Sequence, residues 1–255
     1  MRFISITFIT ILFSSLLFFG CGGNSSKNKS VEEPEISVPD TGFTGIKKYP
    51  NKDGSIAKEV TFKNGVRHGE TRTYLKGALY QTFQYENDIR NGVVKRYYTE
   101  GEVYKETPYV NDTIDGIITI YYRNGNVTSK MGYSKGKQTT YLEEFYKNGN
   151  KYTDYPKIVT SVTDEYATKG TYRIDISLSK PDQNVIFYQG SLVNNTVDTA
   201  ALKELKVTDG TAVITLKKTT ENTIDTVGIV ARILTPFRNR YVTSATVKLP
   251  YKDLK

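Results

Sequence analysis

The sequence holds one thiol, Cys21, and one imidazole, His68. A thiolate can act as a nucleophile or accept a covalent group, and an imidazole can move a proton or bind a metal. With one of each, no disulfide closes within a chain and no Cys/His zinc cluster can be built. Any Ser-His-Asp triad must run through His68. That residue stands in the stretch NGVRHGE, and the slots that correspond to it further on hold Asn91 and Asp115. A site whose chemistry changes at each recurrence is not a shared catalytic device. Carboxylates are plentiful, with 27 Asp and Glu, yet no pair recurs in a pattern suited to general acid–base work. The Asn-Gly turns open strands and lack the Lys-Ser/Thr ending of a phosphate loop. The chain is expected to be no enzyme, with no cofactor and no metal.

Cys21 has a more definite context. Residues 1–20, MRFISITFITILFSSLLFFG, carry Arg2 as their only charge, followed by an apolar stretch from Ile4 to Phe19. Charge and length fit an export signal. Cys21 follows a small residue, Gly20, at the end of that run. The junction resembles a bacterial lipoprotein signal. This resemblance implies that the Cys21 thiol takes a diacylglyceryl group and becomes the new N-terminus, with further acylation holding the protein on a membrane. Residues 21–42 are rich in Gly, Ser, Asn, Pro and charge, and read as a flexible tether.

The elements beyond the tether are written in a repeat. Tyr74, Tyr98, Tyr122 and Tyr146 are spaced by 24, as are Gly77, Gly101, Gly125 and Gly149. Phe62, Tyr85, Tyr109 and Tyr133 advance by 23, 24 and 24, and Gly45, Gly69, Gly92 and Gly116 by 24, 23 and 24. Interlocked series with one period indicate a repeat architecture. Aromatic-rich runs bounded by Gly, Asn and Asp read as strands joined by tight turns, so each unit is a β-hairpin in an antiparallel meander. Units are expected at about 45–68, 69–91, 92–115 and 116–140, with a partial fifth to about 155; the unit near 136–149 is expected to carry an insertion, KQTTYLEE, and to end the regular spacing. Tyr and Phe are expected to stack along one face of the sheet.

The run FKNGVRHGETRTYLKGALYQTFQYENDIRNGVVKRYYTEG resembles the MORN-repeat variant family over residues 43–155. The family occurs in secreted and lipid-anchored bacterial proteins, and some members are called YwqK-like antitoxins. The resemblance implies protein binding without catalysis, and as an alternative an antitoxin or immunity protein that neutralises a toxin; it also implies that His68, before the unit-opening Gly69, is a turn residue.

In residues 156–255 the period vanishes. Runs such as RIDISLS and TAVITLK alternate cleanly, and Thr208-Asp209-Gly210 signals a hairpin. Six or seven strands fit a β-sandwich of immunoglobulin-like size, with TVDTAALKEL as a short helix or a crossover. The expected fold is therefore all-β: an antiparallel hairpin-repeat sheet followed by a sandwich.

The net charge of +8 is spread among both signs, which fits a solvated surface better than a nucleic-acid patch. The expected partners are a membrane, through the lipid on Cys21, and a protein, with a glycan as the alternative that a row of exposed Tyr would serve. No nucleic acid is expected. The expected location is the bacterial cell envelope, on the outer membrane.

Overall fold

Two turn types, both built on residues at positive φ, connect the strands of the repeat region into a single antiparallel sheet. The computed structural model describes residues 42–180 and 184–255; Cys21, the signal segment and residues 21–41 of the tether lie outside them. The sheet runs in chain order through β1 (Gly45–Pro50), β2 (Ile56–Lys63), β3 (Val66–Leu75), β4 (Ala78–Glu86), β5 (Ile89–Arg90), β6 (Gly92–Tyr97), β7 (Val103–Val110), β8 (Thr113–Ile114), β9 (Gly116–Tyr121), β10 (Val127–Ser134), β11 (Lys137–Phe145) and β12 (Lys151–Tyr152).

The first turn type has two residues, both at positive φ: Asn64-Gly65, Asn87-Asp88, Asn111-Asp112 and Lys135-Gly136. Such turns match the right-handed twist of the strands they join. The second is longer. Tyr98 N–H donates to Glu102 O and Gly101 N–H to Tyr98 O, a pattern repeated at Tyr122–Asn126, Tyr146–Asn150 and Asn51–Ser55. Gly101, Gly125 and Gly149 supply its positive φ, and Gly54 does so at Asn51–Ser55. Gly77 differs. It sits with Lys76 in a two-residue turn between paired Leu75 and Ala78.

The glycine that opens each unit is a bulge residue. Thr61, Gln84 and Pro108 each face three residues on the following segment: His68-Gly69-Glu70, Asn91-Gly92-Val93 and Asp115-Gly116-Ile117. His68 thus lies in a bulge inside β3, not in a turn, because the turn closes earlier at Asn64-Gly65. Gly116 has φ 119°, and a Cβ there would stand 3.0 Å from Pro108 Cγ. On its other side each glycine pairs with an aromatic: Gly45 with Phe62, Gly69 with Tyr85, Gly92 with Tyr109, Gly116 with Tyr133. In the fifth unit the equivalent bulge position is Thr140. There the space is made from the opposite strand by Gly132, whose Cβ would collide with Thr139 Oγ1 at 2.3 Å. The glycine has changed strands, which is why the series of opening glycines stops at Gly116; KQTTYLEE is no insertion but part of β11, and the 24-residue spacing holds from Tyr122 to Tyr146.

After the meander come β13 (Ile158–Glu165), α1 (Tyr166–Lys169), β14 (Thr171–Leu178), β15 (Val185–Gln189), β16 (Lys203–Glu204), β17 (Val207–Thr208), β18 (Thr211–Lys217), β19 (Thr226–Leu234) and β20 (Arg240–Lys248). They form two four-stranded sheets, in the orders β13-β14-β18-β17 and β16-β15-β19-β20. Labelled A to G with an added C′, these are the orders ABED and C′CFG of an immunoglobulin-type Greek key. The core between them buries Ile174, Ile176, Phe187, Ile214, Ile229 and Ile233. Eight strands replace the expected six or seven because the short β16 and β17 are separate elements. The stretch TVDTAALKEL holds no helix: Val197 and Leu202 turn inward and only Lys203–Glu204 is regular. Four residues are too few to sustain a helix without packing, and the one helix among the described residues, α1, lies instead where Tyr166 stacks on Tyr251 at 3.7 Å.

Repeat sheet and sandwich belong to one compact unit. Glu144 of β11 is buried at their junction and accepts hydrogen bonds from Thr235 Oγ1 at 2.6 Å and Asn239 Nδ2 at 2.7 Å. Tyr155 stacks on Tyr241 at 4.5 Å, and Tyr146 and Tyr152 meet Phe237 edge-on. Burial, then the neighbouring Glu144, pushes the Tyr155 phenol well above its usual range. The free edge of β11 is covered by the sandwich: Thr140 N–H donates to Asn195 O and Val197 N–H to Gln138 O.

Candidate interaction surface

Cross-strand register assigns every side chain of the meander to one of two faces. One unbroken row of partners runs Lys48, Glu59, Arg72, Thr82, Lys95, Glu106, Thr119, Lys130, Glu143. A neighbouring row runs Tyr49, Lys58, Thr73, Gln81, Arg96, Lys105, Ile120, Ser129, Glu144, Tyr152. The two rows are one residue apart and so point to opposite faces. The first defines a polar face. The second shares its face with Val60, Phe83, Val94, Ile118, Met131 and Leu142, together with the aromatics opposite the bulge glycines.

The polar row is knitted by charge. Lys48 meets Glu59 at 3.2 Å, Lys95 meets Glu106 at 3.2 Å, and Lys151 meets Glu143 at 2.6 Å. Tyrosine hydroxyls reach the same carboxyls: Tyr74 donates to Glu59 at 2.9 Å and Tyr121 to Glu106 at 2.8 Å. The hydrogen bond from Tyr74, then that from Lys48, holds the Glu59 carboxyl below its ordinary range. Burial, then the bond to Glu106, raises the Tyr121 phenol.

Beside this charged row the bulges project a second line of side chains. The residues after the bulge glycines are Ile46, Glu70, Val93 and Ile117, and the fifth unit places Tyr141 there. Register puts Ile46, Val93 and Ile117 on the polar face, opposite Thr61, Pro108 and Gly132. They are exposed: Ile46 by 59%, Val93 by 40%, Ile117 by 48% and Tyr141 by 39%. A surface with aligned apolar side chains next to charges of both signs is composed like a protein interface.

The tyrosine series divides over three places, so the aromatics do not stack along one face. Tyr74 lines up with Tyr97 and Tyr121, whose side chains point to the polar face, because its turn is one residue shorter than theirs. Tyr98 and Tyr122 lie at the turn edge and bridge units: their hydroxyls donate to Tyr121 O at 2.8 Å and Phe145 O at 2.9 Å. Tyr146 has no further unit to bridge and packs against Phe237. The opposite edge is tied by Arg67 to Asp88 and Arg90 to Asp112, at 2.9 and 2.8 Å. Each of these guanidiniums also lies over the ring that faces a bulge glycine, Tyr85 or Tyr109. His68 Nδ1 is buried with no hydrogen-bond partner. Cys21 lies outside the described residues. The exposed apolar row was legible in the sequence as the position following each opening glycine, but turn position dominated that reading.

No protein-family model matches the chain, and a search of curated proteins finds no match.

Proposed function

We propose that the chain is a non-enzymatic, lipid-anchored protein of the bacterial cell envelope whose repeat sheet binds a protein partner through its polar face. The observation that carries this reading is the line of exposed Ile46, Val93, Ile117 and Tyr141 beside the charged row from Lys48 to Glu143. The backbone ladders and the turn-edge bridges already hold the strands together, so these side chains are not needed for cohesion. Apolar contacts supply the affinity and the alternating charges set register and rate of encounter. The anchor is Cys21, at the end of the apolar leader, and the tether that follows gives the sheet reach from the bilayer.

The test is capture from detergent-solubilised envelope with the intact chain as bait, against the Val93→Asp/Ile117→Asp variant. The reading expects a partner retained by the parent and lost by the variant. The same captured set for both overturns it. For the anchor, palmitate label should enter the parent and not Cys21→Ala, and equal label in both rejects lipidation at that residue.

A further inference from the structure

The repeat sheet contains five arginines, and four of them are matched to carboxylates: Arg67 to Asp88, Arg72 to Glu70, Arg90 to Asp112 and Arg123 to Glu100. The fifth is Arg96. Among the described residues it has no carboxylate within ion-pair distance, and its direct cross-strand neighbour is Lys105. Like charges placed opposite each other cost stability. Burial, then the charge of Arg96, holds the Lys105 ammonium below its ordinary range. Here two cations face one way on a sheet that elsewhere pairs its arginines.

A cavity of about 320 Å³ opens at this point, lined by Leu79, Tyr80, Arg96, Tyr97, Tyr98 and Tyr104 among others. Its origin is the short Lys76-Gly77 turn. In the later units a tyrosine leans over the neighbouring hairpin and bonds its backbone, as Tyr98 and Tyr122 do. The second unit has Leu75 at the equivalent edge and a turn one residue shorter, so the bridge is missing and a notch remains. The guanidinium carbon of Arg96 lies 4.7 Å from the Tyr80 ring centre and 5.6 Å from that of Tyr104. The rings fix the guanidinium from its flanks.

We propose that this notch binds a carboxylated sugar, a uronic-acid residue of an acidic polysaccharide. The planar guanidinium takes a carboxylate through two parallel hydrogen bonds, with Lys105 adding charge beside it. Tyr80 and Tyr104 hold the guanidinium, and the Tyr97 and Tyr98 side chains that also line the notch supply apolar ring surface to the C–H face of a pyranose, while tyrosine hydroxyls serve its hydroxyl groups. An acidic peptide side chain would use the guanidinium but has no ring to fill the aromatic walls. The volume is at the small end of ligand cavities, about 300–1,000 Å³, and suits one sugar residue. Arg96 points to the face opposite the proposed partner surface, so this site stands independently of that one.

The experiment is calorimetric titration of the full chain in detergent, at low ionic strength, with glucuronic acid and a short galacturonate oligomer. Glucose and N-acetylglutamate are the comparison ligands. Saturable binding of both uronates is expected, weakened about tenfold or more for glucose, for N-acetylglutamate and by Arg96→Gln. Arg90→Gln, on the far turn edge, should bind as the parent does, and unchanged circular dichroism confirms that both variants are folded. The proposal is overturned by the absence of saturable uronate binding, by undiminished binding in Arg96→Gln, or by equal binding of glucose. Equal binding of N-acetylglutamate also overturns it, since the notch would then read a bare carboxylate, as a peptide presents it.

Discussion

Removing the Glu144 side chain should loosen the join between repeat sheet and sandwich. Glu144 is 0% exposed, and one carboxyl oxygen accepts from both Thr235 and Asn239 in the turn between β19 and β20. Glu144→Ala leaves two buried donors without a partner, at about 1–3 kcal/mol each, and adds a cavity. A loss of about 3 kcal/mol or more follows. For a chain of this size each kcal/mol moves Tm by about 2–4 °C, so the drop should be about 6–12 °C. Glu144→Gln keeps a carbonyl oxygen in the same place and should lose about 1 kcal/mol. Scanning calorimetry decides the matter, and Glu144→Ala should also broaden or split the transition as the two sheet systems uncouple. If Glu144→Ala melts within about 2 °C of the parent, or if Gln costs as much as Ala, the hydrogen bonds at this junction do not carry the coupling.

Gly116→Ala should cost about 1–3 kcal/mol in urea unfolding, because φ 119° is strained for any side chain and the new Cβ would press on Pro108. Gly125→Ala, at φ 82° but with open space around it, should cost about 1 kcal/mol. Asp112 supplies a pH dependence: the hydrogen bond from Arg90 holds its carboxyl below the ordinary range. Its folded value therefore lies below its unfolded one, so its stabilisation is complete above about pH 4 and fades as pH falls through the folded value. Asp112→Asn should flatten that part of the stability profile, measured by urea titration below about pH 5.

The all-β architecture was legible because glycine and aromatic spacing report directly on strand and turn. Gly101, Gly125 and Gly149 share one turn geometry and one φ region, so their sequence alignment is also a structural one. Gly77 aligns with them in sequence yet closes a shorter turn, and counting back from it misplaces Tyr74 by one position. A one-residue deletion changes which face a side chain occupies, and no period count reveals on which side of the glycine the residue was lost. Gly132 presents the same limit: it replaces Thr140 as the source of space, a trade visible only when opposite strands are in register. The polar face stayed hidden because its members, such as Lys95 and Glu106, are ordinary charged residues until register makes them neighbours. In the sandwich, alternation in TAVITLK was enough to place β18, whereas the two-residue β16 leaves no periodic trace.

A meander of hairpins has no inherent length, since each added unit presents the same open edge for the next. This one is stopped at its C-terminal end by the backbone of Asn195 and Val197 on Thr140 and Gln138. At the other end β1 carries Lys47 and Lys48 and finishes in Pro50, residues that discourage a further strand. The sandwich is therefore a terminator as well as a domain: it covers the edge on which a further unit would add and keeps neighbouring copies from joining their sheets into a fibre there.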